Sequence, residues 1–586
     1  METRRNWFTY IYLTIFGICL GFSLFSGILS IGVSTKYPFL WYGGILLAMG
    51  GLWLVSNTLA ILASHYKLYR FTPKNPKMIA AVEGILITLV VISAVAVRLW
   101  IIRNLPVQPE SDFQTYYKIA ELLANGTLLR DGAGYCDYIS QFPHVIGYPY
   151  ILSKIFMVFG SSVKAGLYLN LTASVLSIIF VNRVGRLICG RAGGFFAMLL
   201  VAFWPSQILY INQLASEPVF MCLTLLCIWI IAYLFKIPAS VRASRILILF
   251  VILGILLAMA GAVRPVAIIL LVALMICTIT YRAKASDISR AGLIKSLISR
   301  GWIGAAVILV SYLVCSLIIS GATARTIDRE LPGTTVSFGY NLMVGLNLES
   351  KGMWNDGDSK FLNDRYMETG SAQEAHKASR NEAVKRLTKD PLGIANLMFE
   401  KYTLLWWNDD YGAYWNLLFL EQQGNLTVHK RELINNITIW NNVYYIICVY
   451  LSLVAGIFLW FRKNVGTKHV LILYFIGTAL LHMILESQGR YHYNILPVFA
   501  LLAVSGLTEI FGYYQNHLTY NQSQNTDTLA DKEQETKHEI SSKEDRKINN
   551  TSNNSFDMLD AIRKGHVTVT VTEAYLEGKD HNTEKT

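Results

Sequence analysis

Long apolar runs constrain this chain more than any other feature. A helix needs ~20 predominantly apolar residues to cross the hydrocarbon core of a bilayer. Twelve stretches reach or approach that length: 8–33, 39–64, 78–102, 164–182, 191–208, 217–235, 246–262, 265–281, 302–320, 440–461, 469–485 and 493–514. Of the 586 residues, 53% are hydrophobic and only 15% are charged; a soluble domain carries roughly 25% charged residues. That excludes a disordered chain and a disulfide-stapled secreted module, and it argues against a soluble multidomain enzyme. The expected fold class is an all-α polytopic membrane protein with about twelve transmembrane helices. The first run is too long for a signal-peptide core and lacks an A-x-A site, so it reads as a retained first helix.

The formal net charge of +12 can point to nucleic acid. Here the placement of the cations argues for topology instead. With the N-terminus inside, the inner loops hold Arg4 and Arg5; Lys67, Arg70, Lys74 and Lys77; Arg183, Arg186 and Arg191; Lys236, Arg242 and Arg245; Arg282, Lys284, Arg290, Lys295 and Arg300; and Arg462, Lys463 and Lys468. The short outer loops hold Lys36, Arg264 and Arg490. This positive-inside pattern predicts a multi-pass protein of the cell membrane with both termini cytoplasmic and no nucleic-acid partner. Seven of the eight cysteines lie in or beside apolar runs and only Cys136 falls in an outer loop, so no disulfide framework is available.

The same orientation divides the chain. Two helices (1–77) precede a membrane core (78–320) whose first outer loop spans 103–163. An extracytoplasmic segment (321–439) follows, then three last spans (440–514) and a polar cytoplasmic tail (515–586). Within the first outer loop, 113–123 is amphipathic and 146–159 is apolar but short, so both read as helices lying in the membrane interface. Residues 371–387 read as a helix that Pro391 closes or kinks. Much of the tail reads as disordered, apart from the alternating VTVTVT stretch at 567–572, which has the period of a strand.

Ionisable groups beside a membrane are expensive, which makes them the places to look for chemistry. Asp112 opens the amphipathic stretch, where it or Ser111 can cap the helix; a carboxylate there can also serve as a general base. Glu217 starts an apolar run just ahead of Pro218, a position that suits the helix dipole, and it can equally face the outer cavity with Asp112, as a substrate-orienting group or a second ligand for a divalent metal. Arg264 stands alone between two apolar runs and needs a partner: a structural carboxylate, the interface, or a phosphate. Glu486, Arg490 and Tyr491 crowd the segment ahead of the last span, beyond what aromatic anchoring requires. His144 is a loop histidine with many roles open to it. Trp406, Trp407, Asn408, Asp409 and Asp410 suit an anchoring turn or the lining of a sugar site.

In order and spacing, these residues resemble the GT-C superfamily of membrane glycosyltransferases. The nearer resemblance is to its family 39-like branch, which includes protein O-mannosyltransferases and lipid A aminoarabinose transferases. Asp112, Tyr116 and Ala120 keep that branch's acid, Tyr and Ala spacing. HVIGYPYILSKIFMVFG takes the place of its Pro-rich interfacial segment. Arg264-Pro265 matches its Arg–Pro pair, and Glu486, Arg490 and Tyr491 match its Glu…Arg-Tyr. FGYNLMVGLNLESKGMWNDGD and LWWNDDYGAYW are similar to segments of bacterial members. The likeness covers roughly 78–514. There are departures: the usual Asp-Glu pair is Asp112-Phe113, the Pro-Pro is reduced to Pro143 and Pro149, and the first two spans and the tail are additional.

The resemblance implies transfer of a sugar from a polyprenyl-phosphate donor to an envelope acceptor (glycan, lipid or protein) on the outer face, with inversion at the anomeric carbon. Membrane lipids surround such an enzyme. Asp112 would be the base, Arg264 and Arg490 would bind the donor phosphate, and Glu217, Glu486, Tyr116, Tyr491 and His144 would orient sugar or acceptor. A divalent metal, if present, would fall to Asp112 and Glu217. The competing expectations are a transporter or flippase of a lipid-linked glycan, which twelve spans and basic cavity residues suit, and a sensor with 321–439 as receptor. Transporters bind near the midplane between related halves, whereas these ionisable residues gather at one surface.

Overall fold

The computed structural model describes residues 7–34, 38–65, 76–237, 241–280, 302–333, 337–461 and 466–512. Most of the expected loop cations (Arg4, Arg5, Lys36, Lys67, Arg70, Lys74, Arg282, Lys284, Arg290, Lys295, Arg300, Arg462 and Lys463) and the tail with its VTVTVT stretch lie outside these residues. Among the described residues all regular structure is helical, and ten helical stretches are long and apolar enough to cross a membrane. The expected all-α polytopic fold class holds.

The longest apolar stretch, Val163–Ala202, is not one rod. Gly190 breaks it, with φ 78 and ψ −175. A Cβ on Gly185 would lie 2.8 Å from Gly194 Cα, although nine residues of straight helix would separate the two by about 13 Å. Arg98 gives the same answer from outside: it donates to Ser174 Oγ at 3.0 Å and to the Ala202 carbonyl at 2.8 Å. The stretch is therefore a helical hairpin, and its arms correspond to the two separate runs read at 164–182 and 191–208. Glycine and alanine at the contact let the two backbones approach. The eighth expected run forms the fourteen-residue helix Ala267–Thr280, short of a perpendicular crossing.

Other boundaries move outward. The run expected at 302–320 continues to Ile327. The run expected at 440–461 starts at Val428, with Thr427 as its cap. Both extensions carry helix past the apolar window into the polar segment between them. That segment folds as five helices, Gly339–Gly345, Asp356–Thr369, Ala372–Lys389, Pro391–Trp406 and Tyr411–Gln422. Ser371 caps the third by accepting from the Glu374 N–H, and Pro391 opens the fourth at a position where its missing N–H loses nothing. A small core of Tyr340, Met343, Val344, Leu362, Ala375 and Leu397 joins the first four, while Tyr411, Phe419 and Leu420 of the fifth belong to the main core of the bundle.

In the first long loop the two expected helices form as Ser111–Ala124 and Gly147–Phe159. They pack on each other through Tyr116 against Tyr148 and Tyr117 against Phe156. Two shorter helices, Leu128–Asp131 and Ala133–Gln141, fill the space between them. At the far end of the bundle Glu83 pairs with Arg186 and Arg191, and Lys468 with Glu509 at 2.9 Å.

The hairpin makes a direct prediction. A Cβ on Gly194 would lie 2.4 Å from Arg186 Cγ and 2.6 Å from the Asn182 carbonyl, so Gly194→Ala must push the arms apart. We expect it to cost about 1–3 kcal/mol, read as a lower melting temperature in detergent. Gly17→Ala, where a Cβ meets nothing within 4 Å, should be neutral or stabilising. Equal behaviour of the two variants would refute the hairpin.

Candidate active site

Four of the singled-out residues come from four distant places in the chain and meet at one end of the bundle. Asp112 sits in the first turn of Ser111–Ala124. Glu217 opens Glu217–Leu234. Arg264 is the residue after Ala243–Val263, where the chain turns into the next helix. Arg490 lies in the 3-10 turn Gly489–Ile495 that leads into the last span.

Their charges alternate. Arg490 Nη2 donates to Asp112 Oδ2 at 2.5 Å, and Arg490 Nε stands 3.9 Å from Glu217 Oε1. Arg264 Nη1 stands 2.5 Å from the same Glu217 oxygen, at an angle that falls short of a directed hydrogen bond, and 3.4 Å from Ser216 Oγ. The other oxygen, Glu217 Oε2, is buried with no hydrogen-bond partner. Glu217 and Arg490 are buried, whereas the Asp112 side chain is 42% exposed.

Neither Asp112 nor Ser111 is a cap. Glu110 occupies that position, and no side chain bonds to the free N–H groups there. Ser111 instead adopts φ 53, the left-handed region a non-glycine residue holds only where its surroundings enforce it. The Asp112 carboxylate is thus spent on Arg490 and not on its own helix.

Glu486 adjoins this quartet. Its Oε1 accepts from Tyr491 Oη at 3.1 Å and from Gln488 Nε2 at 2.9 Å, and its N–H donates to the Asn341 carbonyl at 3.0 Å. Burial pushes its carboxyl above the usual range. Tyr491 also lies under Arg264, 5.2 Å from guanidinium to ring centroid. Burial, and next the Asp112 and Glu217 charges, push the Tyr116 phenol up to about 12. His144 is pushed down to about 4, by burial first and by the Arg264 charge second, so it is a neutral imidazole at ordinary pH. The structure brings all eight sequence-derived site residues into this one region.

The metal alternative fits poorly. The space between Asp112 and Glu217 is filled by the Arg490 guanidinium. Among the described residues no group of three His, Cys, Asp or Glu side chains could hold an ion.

An apolar groove of about 570 Å³ lies beside Arg264, lined by His144, Gly147, Met259, Val263, Pro265 and Tyr312 among others. Its walls are Ala243–Val263 and Trp302–Ile327, which cross where a Cβ on Gly254 would lie 2.5 Å from the Ile308 carbonyl.

Two residues of the WWNDD segment are turned into the core rather than toward a surface. Asp409 is wholly buried and accepts from Trp204 Nε1 at 2.6 Å and Ser206 Oγ at 2.7 Å, and its second oxygen meets His492 Nε2 at 2.9 Å. Trp406 is buried against Phe475 and Phe499. This hub stands directly behind Arg490 and fixes the 3-10 turn that carries it.

Several contributors had no signal in the sequence. Phe113 and Trp415 cover the Arg490 guanidinium at 5.4 and 5.1 Å. Tyr138 and Tyr340 lie near Asp112 and Glu486, and burial keeps their phenols protonated as donors. Lys401, only 1% exposed, donates to the carbonyls of Gly345 at 2.9 Å and Leu485 at 2.6 Å. It clasps the polar helices to the segment bearing Glu486.

Two predictions follow from this geometry. Ser111→Gly should leave the melting temperature unchanged or raise it, whereas a glycine inside an ordinary helix costs about 0.5–1 kcal/mol; clear destabilisation would remove the strain at Ser111. Burial lowers Lys401 from 10.5 to about 7. Between those values the unfolded chain binds more protons than the folded one, so stability rises with pH. The melting temperature of the wild type relative to Lys401→Met should therefore be flat below pH 7 and climb above it.

No family model matches the sequence, and no curated protein matches it. Among solved structures, the chain is similar to the archaeal oligosaccharyltransferase AglB of Archaeoglobus fulgidus in complex with an inhibitory peptide and a dolichol-phosphate. That match has 11% identity and a TM-score of 0.37, over 75% of this chain and 52% of that one. The Archaeoglobus fulgidus oligosaccharyltransferase with Zn and sulfate gives 13% identity and a TM-score of 0.41, over 74% and 50%. ArnT from Cupriavidus metallidurans bound to undecaprenyl phosphate gives 12% and 0.31, over 72% and 77%. The chain spans about half the length of the archaeal chains it matches. The overlaps are partial, and the functional reading rests on the side chains described above.

Proposed function

We propose that this chain is an integral-membrane glycosyltransferase that moves a sugar from a polyprenyl-phosphate donor to an acceptor hydroxyl on the outer face of the membrane. One observation carries the reading: two guanidinium groups and an accessible carboxylate converge at the end of an apolar bundle, beside an apolar groove. Guanidinium groups match phosphate oxygens, the groove suits a prenyl chain, and the carboxylate suits a base.

The donor lies with its prenyl chain in the groove and its phosphate at Arg264 and Arg490. The acceptor O–H points at Asp112, which takes its proton. The acceptor oxygen forms a bond to the anomeric carbon as the bond from that carbon to the phosphate oxygen breaks. The leaving group departs as a polyprenyl phosphate carrying one more negative charge, which the two guanidiniums stabilise. A single displacement inverts the anomeric carbon. Glu217 keeps both guanidiniums in place, while Glu486, Tyr116, Tyr491 and neutral His144 orient sugar and acceptor by hydrogen bonds. The acceptor is an envelope glycan, lipid or protein.

The purified protein in detergent, given a panel of radiolabelled polyprenyl-phosphate sugars and envelope extract, tests the reading. One donor should support transfer. Asp112→Asn should lower the rate by about two to four orders of magnitude with expression and insertion intact, and Arg264→Ala should raise the donor KM. Wild-type rates from Asp112→Asn would remove that residue as base. No turnover with any donor, together with donor translocation in liposomes, would replace the transferase by a flippase.

A further inference from the structure

The charges at the site already cancel. Arg264 and Arg490 are countered by Glu217 and Asp112. Any anionic ligand therefore meets cations that are taken.

Arg490 leaves little freedom in how this is resolved. Its guanidinium is 5.4, 5.1 and 5.9 Å from the ring centroids of Phe113, Trp415 and Tyr491. Anions bind a guanidinium in its plane, along the N–H directions. Nη2 is given to Asp112, Nε faces Glu217, and the side chain is 7% exposed. A phosphate that reaches Arg490 from the exposed side meets the edge that Asp112 now holds. Glu217 is the poor candidate for exchange, because it is 3% exposed and Arg264 also holds it at 2.5 Å. Asp112 is 42% exposed and, among the described residues, forms an ion pair with Arg490 alone. The residue before it, Ser111, is held at φ 53, the left-handed region that a non-glycine residue adopts at a cost.

We propose that Asp112 is the displaceable counter-ion of Arg490: an entering phosphate ester takes its place on the guanidinium, and only then is the carboxylate released to act as a base. The inference rests on the lipid-phosphate reading above and adds an order of events to it. The donor loads first. Before that, the base is occupied in an ion pair, and an acceptor hydroxyl arriving early finds no free carboxylate.

The idea sets two roles of Asp112 against each other. Neutralising a residue that serves only as base should raise phosphate affinity no more than neutralising another carboxylate of the same loop. Neutralising a competitor for the phosphate site raises it further. The test uses the full-length protein in detergent and farnesyl monophosphate as probe, with Kd measured by equilibrium binding, so that it needs no turnover. Asp112→Asn should bind the probe about ten- to 150-fold more tightly than the wild type, the size of one charge-assisted hydrogen bond removed from the competing side. Asp112→Ala should shift in the same direction, and stands in if the Asn variant does not fold. Glu110→Gln is the control. It removes the same charge two residues away, where no ion pair is formed among the described residues, and should change the Kd by no more than about twofold.

Equal affinity of wild type and both Asp112 variants overturns the exchange and leaves the transferase reading standing. Weaker binding by the variants also overturns it, since Asp112 would then support the phosphate. A comparable gain in Glu110→Gln overturns it as well, because the effect would be the general field of the loop. Failure of wild type and variants alike to bind the probe sinks the lipid-phosphate reading together with the inference.

Discussion

A carboxylate that is 3% exposed at the end of an apolar helix is the constraint on which the rest of this molecule turns. Left unpaired, such a group costs several kcal/mol. Glu217 is met by Arg264 from one side and approached by Arg490 from the other. Each arginine belongs to a different part of the chain, and each is itself too buried to stand alone. The quartet therefore closes only when the segments bearing residues 112, 217, 264 and 490 are all in place. It staples the first long loop to the last span across 378 positions of sequence.

Behind the quartet the polar hub of Asp409 and His492 does a complementary job. Both His492 ring nitrogens meet an acceptor, the Leu405 carbonyl at 2.8 Å and the Asp409 carboxylate at 2.9 Å. Buried polar groups satisfied on every side specify one arrangement and penalise the alternatives. The turn carrying Arg490 is therefore set from behind by hydrogen bonds and from in front by charge. Aromatic rings between the two exclude water, which strengthens both.

Much of this was legible in the sequence. Apolar runs and their flanking cations give the helices, because lipid leaves the backbone no other way to satisfy its hydrogen bonds. Asp112, Glu217, Arg264 and Arg490 stand out because a charge beside an apolar run needs a reason. What the sequence withheld was pairing. Nothing in the local pattern around Arg264 tells whether it serves Glu217, Asp112 or a ligand, since contacts between distant helices leave no trace in spacing. The role of Asp409 was hidden for the same reason: an acid in an aromatic turn reads alike whether it faces a sugar or a tryptophan. Helix ends went astray at Ile327 and Val428 because the expected boundaries followed hydropathy, and both helices continue through polar residues into the segment between them.

The turn at Gly190 makes one body of the helices on either side of it. Its two arms and the tight contact of Gly185 with Gly194 form a unit in which neither arm need settle among lipids by itself. The tip carries Arg183, Arg186 and Arg191, three cations that resist being dragged across hydrocarbon. Glu83, on the preceding span, latches the tip through Arg186. The span and the hairpin thus make a three-helix wedge of residues 76–210, held by contacts that involve none of Glu217, Arg264 and Arg490.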